Sequence, residues 1–319
     1  MLRHTRRIFA PLNLSRARAL ATAADSCAPD TAAALLRKKL SCDGVAVMRS
    51  AVDDEFLTSV RSAVADVLAS SSSADVLRAA SGVVRKITYP LGLDARFLAA
   101  LAHPGLLRLA LAVSPEPEQL VLTWEDILYK APRSGEAVPV HQDLALQSLA
   151  GPVYSLGVHL DDAAENPVCF LLGSHALGPQ TAAEVAALRQ RGGFAAVAAS
   201  AGDVVVHNVL TVHYSDANAA AAPRSTWYLE FRTLRQLQLD GRWPASWARQ
   251  RRALLFHACA ARAAEGLPTE WPPLGAGESV AAWLREPVAL RVPHISYGVQ
   301  YDTASPWFHF KQPVKGGAE

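Results

Sequence analysis

His141-Gln142-Asp143, answered some seventy residues later by His213, restricts the fold more than any other feature of the chain. In Val138-Pro139-Val140-His141-Gln142-Asp143, alternate residues of an extended segment point to one side. His141 and Asp143 therefore reach a common point while Gln142 turns away. Two imidazoles and one carboxylate occupy one face of an octahedral ion, as in non-haem Fe(II) centres, and leave the remaining positions open. The fold must bring two distant extended segments together.

The second segment runs from Gly202 to His213 and is rich in valine. It reads as one buried strand carrying two candidate imidazoles, His207 and His213, on the same face. Tyr214-Ser215-Asp216-Ala217-Asn218 is rich in turn formers, and Arg224 to Arg232 reads as the next strand. That connection predicts antiparallel neighbours, with Arg224 returning beside His213. A guanidinium there grips a carboxylate with two parallel hydrogen bonds.

Further phrases follow in a fixed order. Lys130-Ala131-Pro132 precedes the first histidine, and Leu160-Asp161-Asp162 through Glu165-Asn166 follow it. Gly173-Ser174-His175, Gly202-Asp203, His213-x-Ser215 and Arg224 complete the series. As a set, over roughly residues 41 to 235, this resembles the phytanoyl-CoA dioxygenase family. The resemblance implies an all-β core with flanking helices, a double-stranded β-helix of the jelly-roll or cupin type. It also implies Fe(II), 2-oxoglutarate and O2 as cofactors and cosubstrates. His141, Asp143 and His213 would hold the iron, His213 being preferred over His207 because Ser215 and Arg224 follow it at the family spacing. Arg224 and Ser215 would hold the far carboxylate of 2-oxoglutarate. Lys86 stands about where the family has a cosubstrate-contacting lysine, and His159 where the family often has a tryptophan in the cosubstrate pocket. Asn166-Pro167-Val168-Cys169 replaces the family's asparagine-glycine-cysteine. Related halogenases carry a small residue where Asp143 stands, so the carboxylate favours hydroxylation of a small-molecule or acyl substrate, with release of succinate and CO2. Two other readings remain: a cupin-type metal-dependent hydrolase or isomerase, and a catalytically silent relative acting as a binding protein.

Composition narrows the partners. The 31 basic and 29 acidic residues leave a net charge of +2, without the concentrated basic face of a nucleic-acid binder. No apolar run reaches the ~18 residues of a transmembrane helix. Cys27, Cys42, Cys169 and Cys259 are too scattered for a disulfide framework. The stretch from Arg232 to Arg252 holds six arginines against Asp240 alone. It reads either as a solvated basic helix or as a receiver for a phosphate-bearing acyl-CoA. Asp53 reads as the N-cap of a helix carrying Phe56, Val60, Val64 and Val67, and Thr181-x-x-Glu184 as a capping box.

The amino terminus has a different character. Arg3, Arg6, Arg7, Arg16 and Arg18 occur with no acid before Asp25, the composition of an organellar transit peptide. The expectation is a transit segment over 1–27 and one domain over 28–319, helical from about 235. The expected compartment is the mitochondrion, with the plastid as alternative, or the cytoplasm if this segment is not a transit peptide. A reporter fused to residues 1–30 should enter an organelle matrix under fluorescence microscopy; a reporter that stays cytosolic contradicts this.

Overall fold

The computed structural model describes residues 29–70, 75–79, 81–133, 136–143 and 150–291. The expected transit segment and the carboxy-terminal residues 292–319 lie outside them. In chain order, α1 (Pro29–Asp43), β1 (Val45–Met48) and α2 (Asp54–Ser70) come first. A hairpin of β2 (Val76–Arg78) and β3 (Val84–Thr88) leads to α3 (Ala95–Leu101), α4 (Pro104–Val113) and β4 (Leu120–Lys130). Then come β5 (Val138–His141), β6 (Tyr154–His159), β7 (Val168–Phe170), α5 (Ala182–Arg191), β8 (Ala195–Val197), β9 (Val204–Asn208), β10 (His213–Ser215) and β11 (Arg224–Thr233). Helices α6 (Leu234–Asp240), α7 (Ala245–Ala264) and α8 (Val280–Trp283) follow.

Among the described residues the strands form two antiparallel sheets. One has seven strands in the order β1-β9-β6-β11-β4-β3-β2, and the other has four in the order β5-β10-β7-β8. This is the jelly-roll layout of a double-stranded β-helix, with α2, α3, α4 and α7 against the large sheet and α5 against β5 of the small one. Strand alternation explains the layering. Ile127, Leu156, Val158, Val204, Val206, Trp227 and Leu229 form one face of the large sheet and pack under α2, α3, α4 and α7 in the main core. The opposite face carries Val45, Val47 and Val205, which meet Val168, Phe170 and Val197 of the small sheet.

Local sequence signals account for the helix starts. Asp53 accepts the Phe56 backbone N–H at 2.8 Å. His103 caps α4 through the Gly105 N–H, and Thr181 with Glu184 forms the capping box of α5. Among the described residues no single helix is long and apolar enough to cross a membrane.

Two expectations change here. The segment from Gly202 to His213 is not one strand. It leaves the large sheet at Asn208, turns with the Asn208 side chain accepting Leu210 N–H, and enters the small sheet at His213. The turn is pinned from outside: the Gly44 carbonyl accepts Asn208 N–H at 2.8 Å and the Thr211 hydroxyl at 2.9 Å. Gly44 has φ of 76° and no room for a Cβ, which would fall 2.4 Å from Thr211 Oγ1, so glycine is required. Arg224 is therefore not a sheet neighbour of His213. Strand β10 pairs with β5 and β7, whereas β11 pairs with β4 and β6.

The arginines of the 232–252 stretch do not form a basic face. Arg235 pairs with Glu116 at 3.1 Å, Arg242 with Asp240 at 3.7 Å, Arg249 with Glu286 at 2.8 Å and Arg252 with Glu278 at 3.2 Å. Arg232 lies 3.3 Å from Glu230, and Arg251 is buried against Glu125. Asp240 and Glu230 are local, but Glu116, Glu125, Glu278 and Glu286 come from distant parts of the chain, out of reach of a local reading.

Trp227 is fully buried, stacked on Phe56 at 6.3 Å and edge-on to Phe97 at 5.6 Å. Trp227→Ala should cost about 3–5 kcal/mol of stability, measured by chemical denaturation. A loss below about 1 kcal/mol would mean that the large sheet does not rest on this contact.

Candidate metal centre

Backbone register builds the centre. His213 on β10 lies directly opposite His141 on β5, and Phe170 on β7 flanks His213 on its other side. Residues in register share a face, so the two imidazoles stand together with ring centroids 4.2 Å apart, and Phe170 stacks on His213 at 5.3 Å. Asp143, two residues beyond His141, projects to the same side. Its position is set by its N–H, which donates to the Val209 carbonyl at 2.8 Å. The potential ligand atoms of His141, Asp143 and His213 all lie within 4.8 Å of one another. Gln142 points away, as its spacing requires. Its amide donates to the carbonyls of Gly178 and Leu210 and accepts the Gln180 N–H, which ties the end of β5 to the turn before His213.

The protonation states suit a cation. His141 Nδ1 lies 2.7 Å from the Pro139 carbonyl and His213 Nδ1 lies 2.9 Å from the Thr211 carbonyl. A ring that donates from Nδ1 carries its lone pair on Nε2, and both Nε2 atoms face Asp143 at 3.4 and 3.9 Å. Burial, together with the neighbouring His141, lowers the His213 pKa to about 3, so the ring is neutral at physiological pH. Burial opposes ionisation of Asp143, but His213, His141 and His207 outweigh it and hold this carboxyl well below its ordinary range. Metal ligands have to be deprotonated, and His213 and Asp143 are.

Arg224 opens β11 on the facing sheet. Its side chain is buried, with Nη1 3.5 Å from Asn166 Oδ1 and the Tyr228 hydroxyl as a further partner. Its Nε and Nη2 have no hydrogen-bond partner. Buried donors left unmet are costly, and a bound carboxylate would satisfy this pair. Ser215 is buried, and its Oγ accepts from the Lys130 ammonium at 2.8 Å. His159, paired with Thr226 of β11, is buried near Arg224. Burial first and the guanidinium second lower its pKa to about 3, and its Nδ1 is unpartnered. Lys86 is engaged elsewhere: its ammonium pairs with Asp126, so the structure gives it a carboxylate of the protein as partner.

The sequence reading gave Lys130 and Tyr228 no role at the site, and it weighed a third contributor only as an alternative ligand. Lys130 sits directly across from Arg224 and is wholly buried. It donates to Ser215 Oγ and to the Asp216 carbonyl, and burial with the adjacent Arg224 brings its pKa down to about 7. Tyr228 lies four residues beyond Arg224 on the same strand face, a spacing that strand alternation makes readable. Gly157 is its neighbour on β6, where a Cβ would fall 2.9 Å from the Tyr228 ring. The third, His207 on β9, approaches Asp143 Oδ2 at 3.3 Å from the large sheet.

The remaining phrases turn out to be scaffolding. Ser174 Oγ accepts Val212 N–H at 2.8 Å beside His213. Asn166 donates to the carbonyls of Asp216 and Ala217, so Pro167 does not prevent the turn. Asp161 accepts Ser225 N–H, and Asp203 accepts the N–H groups of Ser50 and Ser200.

Two sheets of a jelly roll enclosing a His-Asp-His cluster, with a buried arginine facing it, define a metal-dependent β-helix protein of the non-haem iron type. The sequence profile of the phytanoyl-CoA dioxygenase (PhyH) family matches residues 40–226, more than half of the chain. The chain belongs to that family. Solved structures agree on the fold. EvdMO1 aligns at 25% identity and TM-score 0.55, over 62% of this chain and 49% of EvdMO1, so this chain spans about half of that protein. AviO1 from Streptomyces viridochromogenes Tue57 aligns at 26% identity and TM-score 0.53, over 62% of this chain and 93% of AviO1. EctD from S. alaskensis, solved with bound Fe, aligns at 19% identity and TM-score 0.54, over 64% of this chain and 77% of EctD. No curated protein sequence matches significantly.

His141→Ala, Asp143→Ala and His213→Ala should each abolish stoichiometric Fe(II) binding, measured by metal analysis after anaerobic loading. Iron retained by His213→Ala and lost by His207→Ala would reverse the assignment of the second imidazole.

Proposed function

We propose that the chain is an Fe(II)- and 2-oxoglutarate-dependent oxygenase that hydroxylates a small-molecule substrate and releases succinate and CO2. The observation that carries this reading is the pairing of a ready His-Asp-His donor set with a buried guanidinium whose Nε and Nη2 are unmet. Bound there, iron and 2-oxoglutarate supply the activation of dioxygen and the oxidation of a substrate C–H bond. The chain's residues bind and orient. His141, Asp143 and His213 ligate the ion. Arg224 pairs with the far carboxylate of 2-oxoglutarate. Because Lys130 already donates to Ser215 Oγ, the serine hydroxyl keeps its own hydrogen for that carboxylate. Phe170, buried against His213, keeps water from one side of the donor set.

The relatives fit the pairing of iron with 2-oxoglutarate and narrow neither the substrate nor the outcome. EctD has been solved with 2-oxoglutarate and 5-hydroxyectoine, and SnoK is described as a non-haem, α-ketoglutarate-dependent carbocyclase. Asp143 supports hydroxylation as the outcome here. An acyl-CoA substrate loses its main support, because the arginines of the 232–252 stretch already have acidic partners within the fold. The buried, unmet Arg224 favours the oxygenase over a hydrolase on the same barrel, since such a hydrolase needs no second anion site.

Arg224→Lys keeps the charge and loses the planar fork. Loss of one charge-assisted hydrogen bond costs roughly 1.5–3 kcal/mol, or about ten- to a hundred-fold in affinity. Anaerobic titration of the Fe(II) protein with 2-oxoglutarate, followed by its visible charge-transfer band, should show that weakening with iron affinity unchanged. Equal 2-oxoglutarate affinity in wild type and Arg224→Ala would assign the carboxylate to another cation, Lys130 or Lys86.

A further inference from the structure

His207 reaches Asp143 from the opposite sheet. Its Nε2 lies 3.3 Å from Asp143 Oδ2, while the other carboxylate oxygen, Oδ1, faces His141 Nε2 at 3.4 Å. Oδ1 therefore has His141 as its neighbour, while Oδ2 has His207 as its nearer neighbour and His213 Nε2 further off at 3.9 Å. The His207 ring is 2% exposed, with Phe170 at 5.4 Å and the edge of Tyr228 at 6.5 Å. Packed on both sides, it has little freedom to turn away. Its Nδ1 has no partner, unlike that of His141 or His213, whose Nδ1 atoms meet backbone carbonyls. Nothing therefore fixes the His207 lone pair on Nε2 for a metal. The tautomer with its hydrogen on Nε2 donates to Oδ2 and meets the carboxylate's need for a partner.

We infer that His207 is a positioning residue that engages one oxygen of Asp143, so that the carboxylate binds the ion through its other oxygen alone. The inference rests on the site being an Fe(II) and 2-oxoglutarate centre. Its consequence follows from counting positions. An octahedral ion ligated by two imidazoles and one carboxylate oxygen keeps three places for small molecules. A carboxylate free to bind through both oxygens takes one of those three. Partners beyond the direct ligands govern how a ligand presents itself and how tightly the ion is held. Here that control crosses from β9 to the end of β5, so it also depends on the spacing of the two sheets.

The test uses variants that separate packing from hydrogen bonding. His207→Phe keeps a ring between Phe170 and Tyr228 and removes the donor; His207→Asn shortens the side chain and keeps an N–H. The measurements are Fe(II) affinity by chelator competition, and nitric oxide binding to the anaerobic Fe(II) and 2-oxoglutarate protein followed by electron paramagnetic resonance. His207→Phe is expected to weaken Fe(II) binding by roughly 10-fold or more and to need more nitric oxide for the same signal. His207→Asn should recover most of both. Should His207→Phe fail to fold, as judged by circular dichroism, His207→Leu replaces it with the same expectation. Unchanged iron and nitric oxide affinity in a folded donor-less variant overturns the inference and leaves the oxygenase reading standing. Complete loss of iron in both His207→Phe and His207→Asn overturns it in the other direction, by making His207 a ligand. A wild-type protein that binds no Fe(II) overturns the metal centre itself, and the inference with it.

Discussion

The pairing of His213 with His141 across β10 and β5 is the contact on which the centre depends. It is a backbone register, and it sets two imidazoles side by side before any metal is considered. Everything near it serves to hold that register. Ser174 accepts the N–H of the residue before His213, Gln142 holds the turn from beneath, and the Gly44 carbonyl pins the crossover between sheets. A slip of one residue would turn every side chain of β10 to the other face. Phe170, stacked on His213, would then lose its partner, and His213 would leave Asp143.

The second requirement is separation of charge within a closed barrel. The small sheet and the residues that follow β5 supply the carboxylate and two imidazoles. The facing sheet supplies Arg224 and Lys130, side by side in register on β11 and β4. Neither cation has a carboxylate partner near enough for an ion pair among the described residues, although each meets neutral oxygens. Burial of two adjacent cations is costly, and it lowers the Lys130 pKa to about 7. An anion that enters between the sheets relieves that cost. Elsewhere the rule is the opposite: Arg251 and Glu125 are buried together, and Arg249 and Arg252 of α7 are matched to Glu286 and Glu278, which flank α8.

Much of this could be read in the chain. The i, i+2 spacing of His141 and Asp143 needs only strand geometry, and the resemblance to the family supplied the jelly roll. Helix caps at Asp53 and Thr181 were local and therefore legible. The errors have a common physical origin. The valine-rich run from Gly202 to His213 has the hydrophobicity of one strand, and nothing in its composition marks the change of sheet at Asn208. That change placed Arg224 across the barrel from His213 and put His207 and His213 in different layers. The arginines of the 232–252 stretch looked unbalanced because Glu116, Glu125 and Glu278 are far away in sequence. Tyr228 and Lys130 were missed because each sits in an ordinary strand pattern. Alternation along β11 is enough to put Tyr228 on the Arg224 face, but only the register of β4 with β11 brings Lys130 beside it.

The central claim is that the two facing sheets create a site where iron and 2-oxoglutarate act together. The most direct measurement is release of labelled CO2 from 2-oxoglutarate carrying its label at C1, with purified protein, Fe(II) and air, across a panel of small metabolites. The account predicts release that requires Fe(II), rises with at least one member of the panel, and disappears in Asp143→Ala. Release that is absent with every metabolite, or equally fast with Zn(II) in place of Fe(II), would contradict it.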